Sequence, residues 1–288
     1  MKNSDEFRIR FGHSPDPDDA FMFYAIAKAK IPMRGFRVEH VIEDIESLNR
    51  RALKAELEVT AVSCHAYAYL ADAYAVMTSG ASVGDRYGPI LVSGKPFPVR
   101  EAKDLAGKKI AVPGEMTTAL LALKLFAPEV RTTVLPFDRI FEGVRSGRAD
   151  LGLVIHEGQL TYAQSGFHLA IDLGRWWHGE TGLPLPLGID VIRKDLGADR
   201  MRAFAGLFRE AILYALGHRA EALDYALEYG RGIGRDLGDR FVGMYVNEST
   251  VEMGSEVRKG FELLLKKGQE RGLLPKPVTP EYVEIEKT

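Results

Sequence analysis

The chain has 288 residues, with 38 Lys plus Arg against 40 Asp plus Glu, a formal net charge of −2. At 46% hydrophobic and 27% charged residues it has the balance of a globular protein, and its length predicts two lobes rather than one core. Charge this close to neutral, with basic residues set beside acids as in Glu101-Ala-Lys-Asp, excludes the electrostatic footprint of a nucleic-acid or anionic-membrane binder.

The polar start from Met1 to Arg10 carries no apolar stretch of the kind that directs export, and no run approaches the roughly 20 apolar residues that span a bilayer. The expected location is the cytoplasm. Phe7 to Gly12 reads as a strand, and a Pro/Asp-rich turn leads from it into an apolar helix from about Ala20 to Lys30. Prolines stiffen that turn at the carboxyl end of the strand, where the Ser14 hydroxyl is expected to face a cleft. Asp18 or Asp19 is read as the cap of the helix. Asp-Pro-Asp-Asp lacks the spacing and the glycine of an EF-hand, so no metal is expected. Phe36 to Val41 alternates as a strand, and Ile45 to Ala55 reads as an amphipathic helix. Val59 to Ser63 is a short strand, and Ser63 is placed as the N-cap of the helix Cys64 to Ala73 or as a ligand contact. With Cys64 the only cysteine, an intrachain disulfide and a multi-thiolate metal site are excluded.

A second series of elements opens at Lys108-Lys-Ile-Ala-Val-Pro-Gly114. Its helix runs from about Thr117 to Phe126, its next strand from Thr132 to Leu135, and a further helix from Asp138 to Arg148. Thr117 and Thr118 stand at a strand-to-helix turn, where free amides and hydroxyls make a carboxylate site; no P-loop or other cofactor motif accompanies them. Leu151 to Ile155 is apolar at every position, which predicts a strand covered on both faces, and it stops at His156. That places His156 at the carboxyl edge of a sheet, where ligands bind in open α/β folds and where a histidine can serve as a general base. Trp176 and Trp177 follow a strand at Leu173-Gly174, and one of them is expected to wall an aromatic site.

Two extended, proline-containing segments, Tyr87 to Gly94 and Pro184 to Val191, read as crossings between lobes; beyond Asp199 the chain turns helical to about residue 272. Residues 1–90 with 190–288 would form lobe one, and 95–185 lobe two. This is the plan of a two-lobed, type II periplasmic-binding-protein-like α/β fold with a ligand cleft and two hinge crossings.

Five motifs in this order carry a resemblance: Ser14-Pro-x-Pro-x-Asp19-x-Phe-x-Phe23, Glu43-Asp-Ile-Glu-x-Leu-Asn-Arg50, Gly114-x-x-Thr-Thr118, Gly152-Leu-x-Ile-His-Glu157 and Trp176-Trp-x-x-x-Thr-Gly-Leu-Pro-Leu-Pro-Leu-Gly188. From about residue 7 to about 248 the chain resembles the 1,4-dihydroxy-6-naphthoate synthase family of the futalosine route to menaquinone. The resemblance implies a cofactor-free lyase that converts cyclic dehypoxanthine futalosine to 1,4-dihydroxy-6-naphthoate. It puts the base on His156 and substrate contacts on Ser63, Thr117 and Thr118. The partner it implies is a small aromatic carboxylate. The chain departs from the family's first loop, Ser-Pro-Cys-Pro-Asn-Asp-Thr-Phe, at Asp16, Asp18 and Ala20, and Ala61 stands where a lysine is expected. Chorismate dehydratase, of the same route and fold, and a non-catalytic solute-binding protein are the alternative readings.

Overall fold

The computed structural model describes residues 6–230 and 232–285. In chain order the first section runs β1 (Phe7–His13), α1 (Pro17–Ala27), β2 (Phe36–Ile42), α2 (Ile45–Ala52), β3 (Val59–Ser63), α3 (Cys64–Leu70), β4 (Tyr74–Met77) and β5 (Ser82–Gly84). There follow β6 (Ile90–Ser93), β7 (Lys109–Val112), α4 (Thr118–Phe126), β8 (Arg131–Val134), α5 (Ile140–Arg145), β9 (Leu151–Val154), α6 (Gly158–Thr161), β10 (His168–Asp172) and α7 (Leu173–Thr181). The chain then returns through β11 (Leu185–Arg193) to α8 (Ala198–Gly217), α9 (Arg219–Leu227), α10 (Arg235–Tyr245), α11 (Glu248–Val251), α12 (Ser255–Glu270) and β12 (Tyr282–Val283).

These strands form two sheets, and each sheet anchors a lobe. The first is ordered β2-β1-β3-β11-β4-β12, with β5 pairing β11; the second is ordered β8-β7-β9-β6-β10. Within the first, β1 pairs β2 and β3 in parallel while β11 runs antiparallel to both β3 and β4. Within the second, β7 is parallel to β8 and β9 while β6 is antiparallel to β9 and β10. The strands that reverse direction, β6 and β11, lie in the two crossings between lobes.

Burial explains why the all-apolar runs became central strands. Every residue of β3 and β9 is buried, so each strand is covered on both faces. In α1 all residues but the last are buried, because α8, α9 and α10 pack around it. The C-terminal section is not purely helical: β12 adds parallel to β4 at the sheet edge. Nor does it stay with one lobe, since α12 packs on β11 and α3 and also on α4 of the second lobe. Among the described residues no helix is long and apolar enough to cross a membrane.

Candidate functional site

Between the lobes lies a cavity of about 110 Å³. The first lobe contributes Ser14 beyond β1, Ala61 and Ser63 of β3, and Leu187 to Ile189 of β11. From the second lobe come Thr117, Thr118 and Ala119 at the start of α4, with Ile155 and Gln159 beside the β9–α6 turn. Phe241 and Tyr245 of α10 complete it. Ser14, Ser63, Thr117 and Thr118, far apart in sequence, thus meet on one cavity.

Their hydroxyls are not all free to act. Ser63 starts α3 without capping it. Instead its Oγ accepts from Asn49 Nδ2 at 3.1 Å, and its amide donates to Asn49 Oδ1 at 2.9 Å. Asn49 is fully buried on α2 and positions Ser63; its only sequence signal is membership of the Glu43–Arg50 motif. Thr117 Oγ1 caps α4 by accepting from the Leu120 amide at 3.2 Å. Thr118 Oγ1 donates to the Leu187 carbonyl at 2.6 Å and accepts from the His65 amide at 3.2 Å. Both threonine hydroxyls are therefore committed within the protein. A carboxylate at this end of the cavity would meet the positive end of the α4 dipole, not a pair of unused donors.

The first loop also differs from its expected form. Helix α1 begins at Pro17 with Asp16 at the N-cap position, so neither Asp18 nor Asp19 is its cap. Asp19 Oδ2 accepts the Ser14 amide at 2.7 Å, and Ser14 Oγ accepts the Asp16 amide at 3.1 Å, which closes the loop on itself. Burial raises the Asp19 carboxyl to about 6 against the opposing pull of the Ser14 hydrogen bonds. Asp16, Asp18 and Asp19 all line the cavity. Among the described residues no group of three His, Cys, Asp or Glu is arranged to hold a metal.

His156 lies two residues beyond the end of β9 and is 9% exposed. Its neighbours Ile155 and Gln159 line the cavity, whereas its own ring packs edge-on against Phe137 and Phe141, with centroids at 5.7 and 6.1 Å. Nδ1 accepts the Gly158 amide at 3.0 Å, so in the neutral ring Nε2 carries the hydrogen. The chain does not stay extended after His156. Glu157 is helical, at φ −55° and ψ −14°, and its carboxylate comes to 3.7 Å from Nδ1.

Trp176 and Trp177 depart furthest from expectation. Strand β10 ends at Asp172, whose carboxylate caps α7 by accepting from the amides of Gly174 and Arg175. Both tryptophans are thus helical, and neither lines the cavity. Trp177 is 0% exposed and donates its indole N–H to the Pro184 carbonyl at 3.1 Å, while Trp176 packs edge-on to Phe126. Tyr245 and Gln159 were the converse omission. The Tyr245 hydroxyl donates to Gln159 Oε1 at 2.7 Å across the lobes, and residues 86 apart in sequence carry no local signal of such a pair.

A cleft between two α/β lobes, reached through a pair of strand crossings, defines a protein of the periplasmic-binding-protein-like class. The alkanesulfonate-binding protein SsuA from Xanthomonas axonopodis pv. citri, solved bound to MOPS, matches over 96% of each chain with a TM-score of 0.74 and 12% identity, a likeness of fold alone. Within that class the chain belongs to the menaquinone biosynthesis family, whose model matches residues 9–270. A relative from Thermus thermophilus named 1,4-dihydroxy-6-naphtoate synthase is 37% identical over 275 residues, 96% of this chain and 99% of the relative. The crystal structure of protein AF1704 from Archaeoglobus fulgidus is similar at 46% identity and a TM-score of 0.88, covering 92% of this chain and 98% of that one.

Proposed function

We propose that the protein is a cytoplasmic lyase that converts cyclic dehypoxanthine futalosine to 1,4-dihydroxy-6-naphthoate without a cofactor. One observation carries the reading. In a chain that aligns nearly end to end with a named synthase, Ser14, Ser63, Thr117 and Thr118 converge from both lobes on a single cavity.

The substrate's carboxylate is assigned to the α4 end, where the helix dipole favours negative charge. His156 is assigned as the base. With hydrogen on Nε2, its basic atom is Nδ1, so proton uptake means releasing the Gly158 amide. The imidazolium formed then has the Glu157 carboxylate 3.7 Å away to stabilise it. Movement of the β9–α6 turn is part of this assignment, because the ring packs beside the cavity rather than along it.

Purified protein incubated with cyclic dehypoxanthine futalosine, with chorismate and with buffer alone tests the reaction. Consumption of the first compound with release of dihydroxynaphthoate is expected, and dehydration of chorismate instead would overturn the assignment. His156→Asn should still bind product while losing roughly 10²–10⁴-fold in kcat. Turnover within a few-fold of the parent would place the base elsewhere.

A further inference from the structure

The cavity wall built by the β1–α1 turn is acidic. Asp16, Asp18 and Asp19 line the cavity, and among the described residues no lysine or arginine does. Asp190 of β11 is buried nearby, and burial, then the charge of Asp19, raises its carboxyl well above the usual range. Among the described residues none of Asp18, Asp19 and Asp190 forms an ion pair. Buried carboxylates so placed cannot all be charged. Asp19 has the Ser14 amide to favour its charged form. Asp18 has burial against it first, then the charges of Asp19 and Asp16, and these push its carboxyl well above the usual range in spite of hydrogen bonds from the Asp18 and Asp19 amides.

Asp18 is only 8% exposed, yet its Oδ1 has no hydrogen-bond partner. The Tyr245 hydroxyl, which faces this wall from α10, is spent on Gln159. Asp190 Oδ1 is unpartnered as well, but Gly80 and Phe208 close over that residue and it does not line the cavity. A buried polar atom left unpaired on a cavity wall is a place for a ligand atom.

We propose that Asp18 is a specificity-determining residue, a carboxylic acid that keeps its proton and donates it in a hydrogen bond to an uncharged oxygen of the bound substrate. The identity of that substrate rests on the synthase reading; the state of the carboxyl does not. Charge orients the ligand. Its carboxylate is repelled by the acidic wall and drawn to the start of α4, which turns the sugar-derived hydroxyl and ether oxygens toward Asp18.

Steady-state kinetics with cyclic dehypoxanthine futalosine, alongside infrared difference spectra, test this on Asp18→Leu and Asp18→Asn. Leucine removes the donor and should raise KM roughly ten-fold or more. Asparagine places an amide N–H where the acid O–H was and should recover most of that loss. The parent should show a protonated-carboxyl band that is missing in Asp18→Asn, and in His156→Asn that band should shift when cyclic dehypoxanthine futalosine is added. An asparagine variant as weak as the leucine variant, an indifferent KM in both, or no such band would overturn the proposal. A parent that does not turn over this substrate overturns the synthase reading instead, and the band then decides the state of Asp18.

Discussion

His13 ends β1 inside the first lobe, its ring stacked on Phe23 with centroids 4.1 Å apart. Nδ1 lies 3.0 Å from the Ser14 carbonyl and Nε2 lies 3.1 Å from His40 Nδ1. Burial, and then the His40 charge, depress His13 to about 3. The unfolded chain takes up this proton near 6.5, whereas the folded protein takes it up only near 3. Stability is therefore complete above 6.5 and falls as the pH drops through that window, by about 5 kcal/mol at most from this group. Urea unfolding at pH 7 and pH 4 should show the loss, and His13→Phe should shrink it. It should not abolish it, because burial also lowers His40, and lowers His65 to about 4. An acid limb of unchanged slope in His13→Phe would show that the folded protein accommodates the protonated ring. A second residue-scale test concerns Gly158, where an added Cβ would stand 2.6 Å from His156 Cε1. Gly158→Ala should displace the ring and lower kcat by ten-fold or more while changing product affinity little, an effect on positioning of the base. Equal losses in both would point to general damage.

At the scale of elements, the crossing between β5 and β6 and the first turn of α7 approach more closely than side chains permit. A Cβ on Gly174 would lie 2.0 Å from the Tyr87 carbonyl oxygen and 2.5 Å from the Gly88 nitrogen. The Tyr87 carbonyl also faces Gly84, where a Cβ would meet it at 2.1 Å. Both contacts are with backbone, which cannot swing aside as a side chain can. Gly174→Ala is expected to cost about 2 kcal/mol, in the range of overpacked sites, and to lower the melting temperature by several degrees. Unaltered melting would mean that the crossing yields. The same docking explains why the Trp-Trp pair is structural. Starting a helix at Leu173 turns Trp177 into the apolar cluster shared by both lobes and leaves Trp176 half-buried at its edge.

For the whole molecule the decisive feature is that the lobes touch. Beyond the Tyr245–Gln159 bond, Glu46 of α2 accepts the Met116 amide at 3.0 Å and pairs with Arg50 at 3.0 Å. Gly114 makes room for it, since a Cβ there would stand 2.4 Å from Glu46 Oε2. One apolar cluster runs from Tyr67 and Phe261 to Leu120, Leu153 and Trp177, so the hinge region is packed on both sides. Glu46→Ala should loosen closure, raising KM several-fold with a smaller change in kcat and enlarging the radius of gyration of the ligand-free protein. An unmoved KM and radius would assign closure to the apolar seam alone.

The residue pattern by itself determined the alternation of strands and helices, the two crossings, and the strand ends on which Ser14, Ser63, Thr117 and His156 sit. Hydrophobic period and turn chemistry are local, and β3 and β9 are buried at every position. It also carried the family, through motifs whose order survives in the chain. Only the tertiary structure decided which groups are spent and which are free. It committed the Thr118 hydroxyl to Leu187, turned both tryptophans away from the cavity, brought α12 against both lobes, and held the two-residue β12 in place by pairing with β4. It also left Asp18 with an unpaired oxygen on the cavity wall. Those outcomes depend on partners tens of residues distant, whose burial and hydrogen bonding exist only once the lobes are packed together.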